Sequence, residues 1–539
     1  MRLLTTVVAL RCYLDKRPWQ NEPLHSEEPL PLEMTTRFPT AVGLVPTMGA
    51  LHQGHLSLIK RARQENAIVI VSIFVNPLQF GPNEDYEDYP RTLEQDRKFC
   101  EEAGVNAMFV PNPEEIGVAR KSIQDLIVTQ VTPPSDMISG LCGKTRLGHF
   151  QGVATIVTKL FNLVQPDRAY FGQKDGQQLA IVKRLVADLG FPIEIVACPI
   201  VREANGLALS SRNQYLTASQ KDSAAVLYRG LQRARAAFRD GVRKSSTLIE
   251  AVYKEIAMVS TVSVEYIELI EPYTLTPLDE IKEEGMIAIA ARLGSTRLID
   301  NTILVDRQPI IAIDGPAGAG KSTVARQVAA RLGLVFLDTG AMYRAVTWLV
   351  LQKGIPLDDE CAIAELANSC SIKLTPSEDL KSPVRVWIDG NDVTTKIRTE
   401  TVTSKVSAIA AQSAVRSALV KQQQSSGKKG GLVAEGRDIG TQVFPDAEVK
   451  IFLTATVSER ARRRLQDYKK QGQPEVSLEE LERSIKERDW KDSTRLVSPL
   501  MKAADAIEVV SDGLTIDEVT TGIVNLYEQC LAIRNSHRG

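Results

Sequence analysis

The chain has 539 residues, 65 of them basic and 66 acidic, for a net charge of −1; that length allows roughly two to four domains. The even charge excludes the broad basic footprint of a nucleic-acid or membrane-surface protein, and 43% hydrophobic with 24% charged residues is ordinary for a soluble globular chain. Seven cysteines without a Cys-x-x-Cys pair, no signal peptide after Met1 and no apolar run near the ~20 residues of a membrane span point to reduced thiols and a cytoplasmic setting.

In chain order, Leu3–Arg17 predicts a short strand and a helix, and Pro18–Pro39, with five prolines, a surface insert at about 18–40. Val42–Val45 resumes as a strand and delivers Pro46-Thr-Met-Gly-Ala-Leu-His52-Gln-Gly-His55 to the start of a helix. Two histidines three apart share a helix face. At a helix N-terminus they suit an anion that gains charge in a transition state; a metal pair or plain surface histidines are the other readings, although a zinc site needs further ligands. Ala67–Val75 is apolar and β-branched, a buried strand. It ends in Asn76-Pro-Leu-Gln79-Phe80, where α/β sheets bind ligands. Then come LCGKTRLGHFQ (Leu141–Gln151), a helical Val153–Val164, PDRAYFGQKDGQQ (Pro166–Gln178), Ser210-Ser211-Arg212-Asn213, and a closing ARLGSTRLIDN (Ala291–Asn301).

Together these motifs make residues 1 to about 303 similar to the pantothenate synthetases (pantoate–β-alanine ligases), adenylate-forming members of the HxGH nucleotidyltransferase group. The resemblance implies a Rossmann-like subdomain and a smaller C-terminal one, about 206–303, with the site between them. It implies that pantoate and ATP give pantoyl adenylate, from which β-alanine displaces AMP. By the same resemblance His52 and His55 contact the ATP phosphates, His55 as proton donor. Met48, Gly49, Gly172, Lys174, Asp175, Val201, Ser210, Ser211 and Arg212 complete the ATP site, and Gln79 and Gln178, assisted by Asn76, hold pantoate. Turn-capping is the alternative role for Asn76. Leu147 stands where the family has Pro, and Gly176 where a larger residue is common, which predicts a looser loop there. A carboxylate is a weak nucleophile, so cations and Mg²⁺ must align it and offset developing charge.

The second half opens at Pro309. Ile310–Ile313 reads as a buried strand, followed by Gly315-x-x-x-x-Gly320-Lys321-Ser322-Thr323 and a helical Val324–Leu332. Strand, glycine-rich loop and helix form a P-loop: N–H groups of Gly315, Gly318 and Gly320 wrap phosphates, Lys321 reaches the outer ones, and Ser322 meets Mg²⁺. A P-loop normally opens its domain, yet 308 residues precede Pro309. The chain therefore reads as two machines, the second spanning 307–539. Leu334–Leu337 is a strand leading to Asp338-Thr-Gly-Ala-Met-Tyr-Arg344, and Ala345–Gln352 a helix. Residues 371–396 suggest a small β insertion, Val406–Gln424 helix, and Leu432–Ala434 a strand into Glu435-Gly-Arg-Asp-Ile-Gly-Thr441. Val449–Leu453 is another strand. The arginines of Arg460–Arg464 are either a solvated helix face or a phosphate cluster. In KERDWKDSTRLVSPL, Arg488, Asp492 and Arg495 fall on one helix face.

The set DTGAMYR, EGRDIGT and KERDxxDxxR resembles the bacterial cytidylate kinases over roughly 307–535. That family implies a nucleoside-monophosphate-kinase fold with a five-stranded parallel core, a CMP-binding insert and a lid. Carried over, Thr339, Arg344, Arg437, Asp438, Arg488, Asp492 and Arg495 bind CMP, and Ser407 and Arg416 read cytosine. Thr339 replaces the family's Ser, and Ser413 a common Pro. The expectation is an α/β enzyme with two activities, using ATP and Mg²⁺ on pantoate, β-alanine and CMP or dCMP, and a homodimer through the ligase half. A kinase shifted to UMP or another nucleotide, or a half reduced to a binding or oligomerisation module, are the alternatives.

Overall fold

A computed structural model describes residues 1–15, 41–81, 84, 86–118, 129–375, 384–470, 476–494, 498–503 and 505–535. The proline-rich insert and Arg495 lie outside the described residues. The chain divides into two units, Met1–Asp306 and Arg307–Gly539.

The first unit carries a six-stranded parallel sheet of β1 (Arg2–Leu4), β2 (Val42–Thr47), β3 (Ile68–Ile73), β4 (Ala107–Phe109), β5 (Arg168–Gly172) and β6 (Glu194–Cys198). Their order is β1-β4-β3-β2-β5-β6. All six residues of β3 are buried, as a β-branched run covered on both faces must be. The order reverses between β2 and β5, and such a switch point opens a crevice at the carboxyl ends of the strands. A C-terminal subdomain follows: an antiparallel sheet of β7 (Val262–Ile270), β8 (Glu284–Leu293) and β9 (Thr296–Val305). The helices Val226–Arg239 and Ser245–Ile256 cover it, around a core of Leu227, Leu231, Leu248, Val252, Ile287 and Ile289.

Arg202 ties the subdomain to the segment leaving β6. Its guanidinium meets the buried Asp300 carboxylate of β9 at 2.6 and 2.9 Å and lies over the Tyr228 ring. Such bidentate pairing fixes orientation as well as contact. Nearby, the Asn301 amide donates to the main-chain oxygens of Gln173 (2.9 Å) and Lys174 (2.8 Å), just beyond β5. Gly176, expected to loosen that loop, instead permits this approach. A Cβ there would lie 2.7 Å from Met286 Sδ and 3.3 Å from the Asn301 amide nitrogen, so the small residue lets β8 and β9 close onto the loop.

The second unit is built on a five-stranded parallel sheet of β10 (Ile310–Asp314), β11 (Val335–Asp338), β15 (Leu432–Gly436), β16 (Val449–Thr454) and β17 (Ile507–Val510), in the order β11-β15-β10-β16-β17. Alternate residues of β10 feed two cores: Ile310 and Ala312 join Val346, Leu419 and Ala434, while Ile311 and Ile313 join Val328, Val433 and Ile523. That is the period of two acting on a strand apolar on both faces. The β insertion is a three-stranded antiparallel sheet of β12 (Ile372–Thr375), β13 (Arg385–Ile388) and β14 (Asn391–Asp392). The helical stretch around Val406–Gln424 divides into Glu400–Ala411 and Ser413–Ser426. Gln412 breaks it with extended backbone, its buried side chain donating to Leu357 O at 3.0 Å. Ser413 thus takes the first helical position, the one that favours proline.

Candidate active sites

In the first unit, the helix Gln53–Glu65 starts on a capping box made of the two histidines. His52 Nδ1 accepts from Gly54 N at 3.1 Å, and His55 Nδ1 accepts from His52 N at 3.4 Å. Both rings therefore carry their proton on Nε2, and the ring centroids are 4.1 Å apart. Burial, then Lys174, lowers the His52 pKa to about 4; burial, then His52 and Lys174, lowers that of His55 to about 3. Neutral imidazoles with free Nε2–H groups are hydrogen-bond donors to phosphate.

The loop before them is held from below. Asp96, itself buried, accepts from Ala50 N (3.0 Å) and Leu51 N (2.8 Å). A cavity of about 260 Å³ beside the loop is lined by Met48, His52, His55, Asn76, Gln79, Gly172, Lys174, Asp175, Gln178, Val201, Ser210, Ser211 and Arg212. The cavity gathers the expected ligase residues apart from Gly49, which shapes the turn at φ +85°. Asn76 caps the turn that follows β3: its Oδ1 accepts from Leu78 N, and its amide donates to Gln79 Oε1 and Gly152 O, both at 3.1 Å. It positions Gln79, whose own amide reaches Met48 Sδ. Ser210 caps the short helix Ser211–Tyr215, and Ser211 Oγ donates to Ala50 O at 3.3 Å. That bond ties the SSRN turn to the histidine loop.

A second cavity of about 550 Å³ opens from the first, sharing Arg146, His149, Lys174, Asp175, Gln178, Ser210 and Arg212, and reaches the apolar side chains of β8 and β9. Arg146 and His149 belong to the RxGHF run and are not among the site residues that the resemblance implies. Arg146 grips Glu84 through two 2.6 Å bonds and donates to His149 Nε2 at 3.0 Å. Arginine has no acceptor, so His149 holds its proton on Nδ1 and donates it to Gln79 O at 2.8 Å. The carboxylate–arginine–histidine series ends on the residue that faces pantoate in the resemblance.

Burial, then Arg146, lowers the His149 pKa to about 4, against about 6.5 unfolded. Between those values the unfolded chain binds the extra proton, so the stability held above pH 6.5 is lost as pH falls. From pH 6.5 to 5 this one side chain should remove about 1.6 kcal/mol, the slope rising from half of about 1.4 kcal/mol per unit toward its full value. Urea unfolding at both pH values measures the slope, and His149→Gln should flatten it; an unchanged slope would contradict the burial of a neutral His149 imidazole.

In the second unit a cavity of about 810 Å³ lies over the carboxyl ends of β11 and β15 and the loop that follows β10. Gly315 turns the chain out of β10 at φ +147°, where a Cβ would run into the Leu453 carbonyl. Gly318, Gly320, Lys321, Ser322 and Thr323 line one wall; Thr339, Arg344, Ser407, Arg416, Arg437, Asp438, Arg488 and Asp492 line the rest. Arg416 is buried in an ion pair with Asp438 and stacks 5.2 Å from the Tyr343 ring centroid. Arg437 pairs with Asp492 at 2.9 Å, Arg344 donates to Thr403 Oγ1 at 2.7 Å, and Thr339 Oγ1 to Glu435 O at 2.7 Å. The Nε–H of half-buried Arg488 has no partner among the described residues.

Two carboxylates without an assigned role emerge here. Asp314, at the end of β10, accepts from Ile439 N and Gly440 N (2.8 and 2.7 Å), fixing the EGRDIGT turn; burial raises its pKa to about 6. Glu435 takes a hydrogen bond from Ser322, and burial, then Asp338, raises it to about 7; Lys321 is lowered by burial, then Arg437. The arginine run is mixed in character. Arg462 is exposed and pairs with Glu459, whereas Arg463 lines the cavity and donates to Ser511. Among the described residues no three His, Cys, Asp or Glu converge as a metal site, and no helix is long and apolar enough to cross a membrane.

Comparison with known proteins matches residues 30–303 to the pantoate-beta-alanine ligase family model and residues 311–529 to that of cytidylate kinase. A bifunctional pantoate ligase/cytidylate kinase of Trichormus variabilis is 75% identical over 99% of this chain and 100% of its own length. One from Trichodesmium erythraeum is 54% identical over 98% of each. The crystal structure of pantothenate synthetase from Thermus thermophilus is 43% identical, covering 56% of this chain and 99% of that one, at a TM-score of 0.48.

Proposed function

This chain belongs to the bifunctional pantoate ligase/cytidylate kinase family, and from that premise we propose how each cleft carries its reaction. The N-terminal half condenses pantoate with β-alanine, converting ATP to AMP and pyrophosphate; the C-terminal half transfers a phosphoryl group from ATP to CMP. The supporting observation is common to both halves. Each gathers its cations at the carboxyl ends of parallel strands, facing polar groups suited to hold the second substrate.

In the ligase cleft, Nε2–H of His52 and His55, with Lys174, Ser210, Ser211 and Arg212, bind the triphosphate; Val201 and Gly172 border the nucleotide. Gln79, steadied by Asn76 and His149, and Gln178 hold pantoate so that its carboxylate meets the α-phosphorus. The new P–O bond forms as pyrophosphate leaves, and the cations and imidazole donors offset the charge on the departing group. The β-alanine amine then attacks the acyl carbon, AMP departs, and the amine proton is lost to solvent. His55 acts as a neutral hydrogen-bond donor rather than an imidazolium acid, given its lowered pKa.

In the kinase cleft, Lys321 and the loop N–H groups hold ATP, while Arg344, Arg437 and Arg488 present the CMP phosphate; their planar forks suit phosphate oxygens. Arg416, fixed by Asp438, reads cytosine with Ser407. Magnesium would be held beside the Ser322 hydroxyl, which lines the cavity next to the buried Glu435 carboxylate that it hydrogen-bonds. When bound, it neutralises phosphate oxygens. A homodimer through the ligase half and a cytoplasmic setting complete the reading.

Initial rates with CMP, dCMP and UMP test the kinase assignment. CMP and dCMP should be phosphorylated, with UMP poorer in kcat/KM by about 10²-fold or more, because an exchanged donor and acceptor leaves buried polar groups unpaired. Equal rates with UMP would overturn the cytosine-reading role of Arg416.

A further inference from the structure

The helices Val457–Lys470 and Leu478–Thr494 pack on one another through a small core of Ala461, Leu481 and Ile485, which takes no residue from the two cores of the five-stranded sheet. Their registry with the sheet therefore leans on polar links. These include the pair between Arg437 and Asp492 and the bonds from Arg463 to Ser511. A further one is centred on Arg460, only 4% exposed.

Arg460 spans three segments. Its Nε donates to Ala455 O at 3.0 Å, within its own strand-to-helix turn. One terminal nitrogen donates to Ala317 O in the P-loop (3.1 Å) and to Asp489 Oδ1 (3.0 Å), and the other to Asp489 Oδ2 (2.6 Å). Four of its five N–H groups are thus engaged in one rigid fork, which a lysine could not reproduce. Asp489 sits one residue after Arg488 and three before Asp492 on the helix that lines the CMP side of the cleft. The Ala317 carbonyl belongs to the loop that wraps the ATP phosphates.

We infer that Arg460 and Asp489 make ATP and CMP binding interdependent: triphosphate that fixes the P-loop fixes the Ala317 carbonyl, hence Arg460, hence the helix presenting Arg488 and Asp492. Both are positioning residues, since neither is required to touch a nucleotide. By linkage, the effect on CMP affinity must equal the reciprocal effect on ATP affinity. The inference rests on the kinase reading above.

Calorimetric titration of the full chain tests it, with CMP added in the absence and presence of saturating Mg–AMP-PNP, and the reverse titration. Wild type should show equal, reciprocal tightening in the range of about 5- to 150-fold. In Asp489→Asn and Arg460→Lys that ratio should fall toward one, while each nucleotide alone binds much as in wild type. Arg460→Lys, which keeps the buried charge, decides the matter should Asp489→Asn fail to fold. A wild-type ratio of one overturns the inference. So does an unchanged ratio in the variants, or an equal loss of affinity with and without the other nucleotide, which would mark a local brace. Failure of wild type to bind either nucleotide would instead overturn the kinase reading.

Discussion

Alanine at Lys321 is expected to lower CMP-dependent ADP formation by about 10³-fold, with pantoate- and β-alanine-dependent AMP release unchanged. The amine is buried and at present donates to Pro316 O at 2.8 Å, inside its own loop. Burial and Arg437 disfavour its charge there, so the arriving phosphates meet an ammonium whose compensation they improve. Phosphoryl transfer places little covalent demand on the protein and much on charge neutralisation, which makes this single cation costly to lose. Both reactions should be followed on the same preparation at saturating substrates. A kinase loss below 10-fold would remove Lys321 from the transition state, and a parallel ligase loss in folded protein would reveal communication between the halves.

His55→Ala should produce the converse result: pyrophosphate release from pantoate and ATP falls by about 10²–10³-fold, the range for one preorganised donor to developing charge, and CMP phosphorylation is untouched. The main-chain N–H of His52 holds His55 Nδ1 as an acceptor and leaves Nε2–H for the triphosphate. His55→Gln, which restores a donor, should recover part of the loss in kcat. If alanine and glutamine behave alike, the ring is needed for the capping box of the helix rather than for the phosphate. Unfolding of the two variants separates those outcomes.

The sequence disclosed most where chemistry and local structure coincide. Four apolar residues, a glycine loop and Lys321 are contiguous, so the P-loop could be read outright, as could the histidine pair ahead of its helix. The capping function of those histidines was less legible, because imidazole is an unusual cap and the hydrogen-bond partner is main chain. For Asn76 the motif allows a substrate ligand or a turn cap; its side chain caps the turn after β3 and donates to Gln79 Oε1, and it also lines the cavity. The residues without an assigned role share a physical reason. Glu84 and Arg146 are 62 positions apart, Asp314 and Ile439 125, and Arg460 and Ala317 143. No local period or propensity encodes such pairings; only the sheet order brings them together. The packing at Gly176 is hidden for a related reason, since what it accommodates arrives from β8 and β9, more than a hundred residues later.

The contact from Asn301 carries an evolutionary corollary. Its amide grips two main-chain oxygens and so is blind to which side chains Gln173 and Lys174 bear. Position 173 is therefore free to drift under selection without disturbing the bend, and chemistry at position 174 can be tuned on a support that does not depend on it. Position 301 has no such latitude: a carboxylate of the same shape would repel both carbonyls, and a shorter side chain would not reach them. Variation in this loop should accumulate on one side of the contact only, leaving a fixed amide opposite a changeable peptide.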